Sequence, residues 1–227
     1  MNWELRGDTA LFDVLGPAWR DAAEQNASLR GRLELADGPV FQKASPLSAR
    51  AGGRHARRRW LLGIEPPRLA EFSNLEWLRQ RGFGAPEPRF AACLVRPRLA
   101  FQGLVTRWID GARAFETADL DELARLGAEV GRLHALGFVH RDLFARNLLL
   151  APDGGWVFLD AWRGGPRRGL RGPLWDLACL CTDPPQPLED QRIQAVLAGY
   201  LDAGGEVRTQ RFERECAAVA RRYADRI

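Results

Sequence analysis

The stretch that decides the fold is "HRDLFARN", residues 140–147. It follows "DLDELARLGAEVGRLHALG" (119–137), in which Asp119 and Glu122 have the spacing of a helix-capping box. It precedes "WVFLD" (156–160), a continuous apolar run that predicts a buried strand. The sequence therefore predicts a short polar loop between a helix and a strand, an arrangement that can bring acidic and amide side chains together.

The polar residues of this region are the types that phosphoryl transfer requires. Asp142 and Asn147 lie five residues apart, so one can orient an acceptor hydroxyl while the other faces a metal ion. Asp160 ends the predicted strand 18 residues after Asp142, where its carboxylate can ligate Mg²⁺. Because phosphoryl transfer depends on positioning and charge neutralisation, these three residues indicate that chemistry.

A single lysine stands among the 33 cationic side chains of the protein, at Lys43 in "VFQKAS" (40–45). The preceding residues alternate polar and apolar and turn at Asp37-Gly38, which predicts a β-hairpin with Lys43 on its second strand. A compact ammonium charge differs from the planar guanidinium used elsewhere in the chain, so Lys43 is a candidate phosphate-binding residue.

The segment "RLAEFSNLEWLRQRG" (68–82) predicts a helix with a candidate partner for this lysine. At about 100° per residue, Phe72, Leu75 and Leu78 share one face and Glu71 falls in its middle. A carboxylate on an apolar face is costly unless a cation meets it. We therefore predict an ion pair between Lys43 and Glu71.

The segment "RLHALGFVHRDLFARNLLL" (132–150), followed by "VFLD" (157–160), resembles the catalytic segment of the protein-kinase-like superfamily, H-R-D-L-x-x-x-N with its metal-binding aspartate. The resemblance implies an α+β fold of two lobes. A small β-rich N-terminal lobe is expected over residues 1–106, and a minimal helical C-terminal lobe over residues 107–227.

The resemblance also assigns roles to individual residues. Asp142 would be the catalytic acid/base, Asn147 and Asp160 would bind Mg²⁺, and Lys43 with its partner Glu71 would join them in binding ATP. His140 and Arg141 would stabilise the loop, whereas His134 is expected to be a packed core residue.

Three departures from the protein-kinase pattern narrow the function. No G-x-G-x-x-G precedes Lys43, so the loop over the phosphates is not recognisable. Asp160-Ala161-Trp162 stands where D-F-G is expected, and only 67 residues follow Asp160, without an A-P-E motif. These features predict a minimal catalytic lobe that acts on a non-protein acceptor.

Within the superfamily, three further stretches are similar to the lipopolysaccharide-core kinases, which phosphorylate Kdo or heptose sugars. They are "AEFSNLEWLRQRGFGAPEPRF" (70–90), "GLVTRWIDGA" (103–112) and "PLWDLACL" (173–180). The similarity implies an ATP- and Mg²⁺-dependent transferase with an anionic glycolipid or small sugar as substrate. It further implies that Asp176 braces the catalytic loop, while a helix-capping role for this acid remains the alternative.

Composition constrains the partners and the compartment. Four cysteines without a CxxC pair predict free thiols and a reducing, cytoplasmic compartment. The basic stretch Arg50–Trp60, "RAGGRHARRRW", contains no acid and is expected to be a loop, either simply solvated or in peripheral contact with the cytoplasmic face of the inner membrane. Nucleic acid is not expected as a partner, because only Trp60 interleaves an aromatic ring with the basic charges.

Three alternatives to this function remain open at the level of the sequence. One is another small-molecule kinase, of the aminoglycoside or choline type, although such enzymes should present acids rather than arginines to cationic substrates. A second is a minimal atypical protein kinase. The third is a non-catalytic kinase-like scaffold, which the missing glycine-rich loop favours and the intact catalytic residues oppose.

Overall fold

The computed structural model describes residues 2–95, 99–165, 172–182 and 187–224. The chain separates into two compact units, Met1–Asp110 and Gly111–Ile227. The sequence-based division after residue 106 falls inside the last strand of the first unit, which ends at Arg107.

The first unit is an antiparallel sheet with helices inserted between its strands. The spatial order of the strands is β1-β4-β5-β3-β2. The predicted hairpin is confirmed as β2 and β3, which are joined by the two residues Ala36 and Asp37. The elements in chain order are β1 (Asn2–Gly7), α1 (Leu11–Glu24), β2 (Leu29–Leu35), β3 (Gly38–Pro46), α2 (Ala49–Leu62), α3 (Pro67–Gln80), β4 (Pro88–Val95) and β5 (Leu99–Arg107).

Both faces of this sheet are covered, and the alternation of side chains along β3 decides what each face meets. Gln42 lies on the face covered by α1, where its Oε1 accepts a hydrogen bond from Trp19 Nε1 at 3.1 Å. The Trp19 ring packs so closely on Gly103 that a Cβ there would lie 2.4 Å from it. Lys43 is on the opposite face, which meets α3.

The basic stretch Arg50–Trp60 is helical, so its prediction as a loop is wrong. It forms most of α2, which begins after Ser48 and ends at Gly63 in a left-handed conformation (φ 59°). The Ser48 side chain accepts a hydrogen bond from Ala51 N at 3.2 Å. The capping serine and the terminal glycine were the available signals, and Gly52-Gly53 with the lack of apolar periodicity concealed them.

The second unit is mostly helical, with a small antiparallel sheet of order β6-β7-β8. The helix predicted at residues 119–137 is present as α4, and its Asp119–Glu122 capping box is confirmed. The elements are β6 (Arg113–Ala114), α4 (Leu120–Ala135), β7 (Leu148–Leu150), β8 (Trp156–Phe158), α5 (Pro173–Cys181), α6 (Asp190–Asp202) and α7 (Thr209–Ala224), with short 3₁₀ turns at Phe115–Thr117, Ala145–Asn147 and Ala161–Arg163.

The core of the second unit supports the loop that carries the sequence motif. Close helix packing joins α4 to α6, because Gly199 lies directly against the backbone of α4. Val219 and Tyr223 of α7 are buried in one cluster with Phe144 and Trp175. The Tyr223 ring meets the Phe144 ring edge-on, with centroids 4.9 Å apart. The residue two positions after Asp142 is thus anchored in the core.

The described residues contain no helix long and apolar enough to cross a membrane. The four cysteines are free, and Cys179 and Cys181 are buried as the apolar stretch around them predicts. Burial raises the pKa of the Cys181 thiol to about 12, which makes it unreactive at neutral pH.

Candidate active site

The predicted pair of the first unit is present. Lys43 Nζ on β3 is hydrogen-bonded to Glu71 Oε1 on α3. The Glu71 side chain is only 1 % exposed, whereas that of Lys43 is 19 % exposed. The carboxylate is therefore buried, while the lysine retains access to a ligand.

A second cation on Glu71 was not predicted. Arg68 Nη1 lies 2.6 Å from Glu71 Oε2, so each carboxylate oxygen has its own cationic partner. The Arg68 backbone N–H donates to Gln102 Oε1 on β5, at 3.3 Å. The spacing of three residues between Arg68 and Glu71 on a helix was the available signal. This arrangement satisfies the buried carboxylate without committing Lys43 entirely to it.

The predicted catalytic residues of the second unit lie in a loop closed by its own side chains. Asn147 Nδ2 donates to the Asp142 carbonyl oxygen at 2.8 Å, which leaves Asn147 Oδ1 as a metal-ligand candidate. Arg141 adopts a left-handed conformation (φ 64°), and so does Asp160 (φ 53°). Such backbone conformations are unfavourable for non-glycine residues, persist only when the surroundings impose them, and often mark functional sites.

Asp176 of α5 holds this loop, as the resemblance implied. Its Oδ2 accepts from His140 N and its Oδ1 from Arg141 N, both at 2.6 Å. Asp176 is completely buried and lies four residues after Gly172, the N-cap residue of its helix. The bracing role is therefore confirmed over the helix-capping alternative, and the left-handed backbone of Arg141 is explained by the two N–H groups converging on one carboxylate.

His134 lies behind this brace. Its side chain is 4 % exposed, which agrees with the prediction of a core residue. Its Nε2 lies 3.2 Å from Asp176 Oδ2, and its Nδ1 lies 3.1 Å from the Tyr200 hydroxyl. Burial raises the pKa of Tyr200 to about 12. The sequence does not point to Tyr200, because α6 is distant in the chain and carries no motif.

His140 supports the strand end that carries Asp160. Its Nε2 donates to the carbonyl oxygen of Leu159, at 2.9 Å. Since His140 and Leu159 belong to opposite sides of the predicted site, this bond ties the catalytic loop to the residue next to the candidate metal ligand. The loop-stabilising role expected of His140 has this physical basis.

The oxygen atoms of Asn147 and Asp160 fit the requirements of Mg²⁺ with a nucleotide. Within the described ranges, no group of three or more His, Cys, Asp or Glu residues could hold a metal ion. Mg²⁺ in kinases needs only one or two protein oxygens, because substrate phosphates and waters complete its octahedron. An aspartate and an asparagine are therefore a sufficient donor set.

Arg163 is a further residue that the sequence did not predict. Its Nη1 lies 3.5 Å from Asp142 Oδ1, and its carbonyl oxygen accepts from Arg141 Nη1 at 3.1 Å. The contact joins the last residue of the 3₁₀ turn after Asp160 to the candidate base. No local pattern announces it, because the two residues are 21 positions apart.

The sequence of the chain matches a known protein family. A family model described as "Lipopolysaccharide kinase (Kdo/WaaP) family" matches residues 51–200. No curated protein matches the chain.

Two solved structures are similar to the chain. The chain is similar to an aminoglycoside-3'-phosphotransferase of type VIII, with a TM-score of 0.55 and 17 % identity over 89 % of this chain and 97 % of that one. It is also similar to a divergent kinase that lacks the glycine-rich loop and regulates membrane ultrastructure of the Toxoplasma parasitophorous vacuole, with a TM-score of 0.40 and 14 % identity over 76 % and 65 % of the two chains. The first match establishes a kinase-like phosphotransferase fold.

Proposed function

Because the chain belongs to the lipopolysaccharide kinase (Kdo/WaaP) family, and is thus a kinase that acts on a hydroxyl, we propose that it phosphorylates a sugar of the lipopolysaccharide core, Kdo or a heptose, using ATP and Mg²⁺. The observation that carries the proposal is the braced loop of the second unit. There the carbonyl oxygen of Asp142 accepts a hydrogen bond from the Asn147 side chain. The two residues before Asp142 donate their backbone N–H groups to Asp176.

ATP with Mg²⁺ and the side chains of the protein would supply different parts of the chemistry. When bound, ATP with Mg²⁺ supplies the phosphoryl group and neutralises part of its charge. Asp142 accepts the proton of the acceptor hydroxyl as that oxygen bonds to phosphorus. Asn147 and Asp160 supply metal ligands, and Lys43 places its ammonium on the phosphates while Glu71 orients it.

The first experiment measures transfer of labelled γ-phosphate, with Mg²⁺, into a Gram-negative envelope extract. Asp142→Asn should lower incorporation into the glycolipid fraction by about 10²–10⁴-fold, because the base is lost. Asp202→Asn, which changes an exposed aspartate of α6, is the matched control and should keep full activity. Label that appears equally with the Asp142 variant would refute the assigned base.

A different acceptor class is the second candidate. The phosphotransferase match at 17 % identity shows the fold alone, so an aminoglycoside-like acceptor needs its own support. Cationic acceptors require acids near the base, whereas Asp142 is adjacent to Arg163, and Arg146 in the same loop is exposed. Transfer to kanamycin that exceeds transfer to the glycolipid fraction would favour the second candidate.

We also propose that α2 makes a peripheral contact with the anionic cytoplasmic face of the inner membrane. Arg50, Arg54 and Arg57 recur at helical spacing and are exposed, with no acid on the helix. At its C-terminal end Trp60 is 84 % exposed and Leu62 is 64 % exposed. Basic charge beside exposed apolar side chains is typical of helices that lie in a membrane interface.

Vesicle sedimentation tests this contact, and the structure selects the residues to change. Arg59 is unsuitable, because its guanidinium is bound by Glu4. The exposed pair Arg57→Gln/Arg58→Gln should weaken sedimentation with phosphatidylglycerol vesicles about thirtyfold, since each basic residue near an anionic surface contributes roughly 1 kcal/mol. The equivalent change at Arg221 and Arg222 on α7 is the control. Equal sedimentation of wild type and the α2 variant would refute the contact.

A further inference from the structure

The contact between Arg163 and Asp142 is unusually loose for a pair of opposite charges. The distance of 3.5 Å exceeds the roughly 2.7–2.9 Å of a charge-assisted hydrogen bond. The Arg163 side chain is 27 % exposed and that of Asp142 is 12 % exposed. Partly exposed single contacts of this kind add little stability, so a purely structural role explains the position of Arg163 poorly.

Both the backbone and the side chain of Arg163 are nevertheless held by neighbouring residues. Its carbonyl oxygen accepts from Arg141, and its guanidinium carbon lies 4.7 Å from the centre of the Trp162 ring. The next residue, Gly164, has no room for a side chain, because a Cβ would lie 2.8 Å from Phe138. The turn is thus fixed, while the guanidinium extends to the atom that is expected to take the proton.

The guanidinium also suits a ligand better than it suits Asp142. A guanidinium presents five N–H donors in a planar fork that matches phosphate or carboxylate oxygens bidentately, and one long contact to Asp142 uses little of that capacity. Arg163 is therefore placed to neutralise negative charge next to the base.

We propose that the Arg163 guanidinium binds an oxyanion of the reacting complex. The bound oxyanion then lies within hydrogen-bond reach of Asp142. The inference rests on the proposed kinase function and adds a ligand-binding residue to the site of that function. The oxyanion is either the phosphoryl group in transfer or an acidic group of the acceptor. In the step itself the acceptor O–H gives its proton to Asp142, the new O–P bond forms, and the bond from the γ-phosphorus to the bridging oxygen breaks to release ADP. Arg163 stays protonated throughout.

The test compares Arg163→Gln with Arg163→Lys and with the control Arg125→Gln, an exposed arginine on α4. Two acceptors are used, Kdo with its carboxylate and a neutral heptose, together with ATP hydrolysis in the absence of acceptor. If Arg163 binds the phosphoryl group, Arg163→Gln lowers kcat by about 10²-fold in all three reactions, as loss of a preorganised donor does. If it binds the acceptor, only the KM for Kdo rises, by about tenfold or more. The lysine variant should recover part of either loss.

Binding measurements keep the inference separate from the proposed function. Calorimetry with Kdo, and with ADP and aluminium fluoride as a probe of the phosphoryl group, should show at least one affinity that falls about tenfold in Arg163→Gln and not in the control. Identical kinetics and identical binding of wild type and Arg163→Gln would overturn the inference. A wild-type protein without transfer or hydrolysis refutes the proposed function. In that case, equal affinity of wild type and variant for inorganic phosphate overturns the Arg163 site as well.

Discussion

Replacement of Lys43 by methionine should weaken nucleotide binding without unfolding the protein, because a second cation remains on Glu71. In many ion pairs the loss of one partner leaves a buried, uncompensated charge, which costs about 3–5 kcal/mol. Glu71 is almost completely buried, but Arg68 Nη1 remains 2.6 Å from its second oxygen. We therefore expect Lys43→Met to remain folded.

The expected losses of unfolding free energy follow from the number of cations that remain on Glu71. Lys43→Met removes the charge-assisted hydrogen bond between Glu71 and a lysine that is 19 % exposed, which costs about 1.5 kcal/mol of unfolding free energy. Arg68→Met should cost a similar amount. The double variant leaves Glu71 with neither cation and should cost about 4–5 kcal/mol. The excess over the sum of the single changes, about 1–2 kcal/mol, is the coupling expected of residues that share a partner.

Urea unfolding followed by circular dichroism measures these losses, and binding of a fluorescent ATP analogue measures the ligand. Lys43→Met should weaken nucleotide binding tenfold or more, and Arg68→Met much less, because only the lysine is assigned to the phosphates. Two results would refute this reasoning. One is strict additivity of the single stability changes, and the other is equal nucleotide affinity in both single variants.

Three further predictions concern the second unit. Asp176→Asn should lower the free energy of unfolding by about 2–4 kcal/mol, because the new NH₂ group would replace one of the two oxygens that accept buried backbone N–H groups and would leave one of these donors without an acceptor; a loss below 1 kcal/mol in urea unfolding would contradict the bracing role. Gly199→Ala should cost about 3 kcal/mol in the same assay, because its Cβ would lie 1.8 Å from Ala124 O and α4 and α6 would have to separate; wild-type stability would show that the helices can part freely. The raised pKa of Cys181, about 12 through burial, predicts alkaline destabilisation, since the unfolded thiol loses its proton near pH 8.5 and the folded one does not. At pH 10 this amounts to about 2 kcal/mol, so Cys181→Ala should lose correspondingly less stability between pH 7.5 and pH 10; an unchanged pH dependence would contradict the assignment.

Local patterns in the sequence were sufficient for the hairpin that carries Lys43 and for helix α4. The Asp119–Glu122 capping box and the alternation around Lys43 report interactions between residues close in the chain, and both predicted elements are present. The kinase-like fold was implied by the resemblance of the segment around His140, Asp142 and Asn147 to the catalytic segment of the protein-kinase-like superfamily. The helix α2 was missed because its signals are confined to its two ends, whereas periodicity arguments read the middle of a segment.

The tertiary structure alone decided which side chains share a partner. Asp176 receives two N–H groups from residues 35 and 36 positions away, and Arg163 lies beside Asp142 at a separation of 21 positions, so both contacts depend on the path of the chain. Helix caps and strand alternation are set by neighbours along the backbone, so the sequence specifies them directly. Contacts across such separations exist only after the core has brought the backbone segments together, and for this reason no local pattern could predict them.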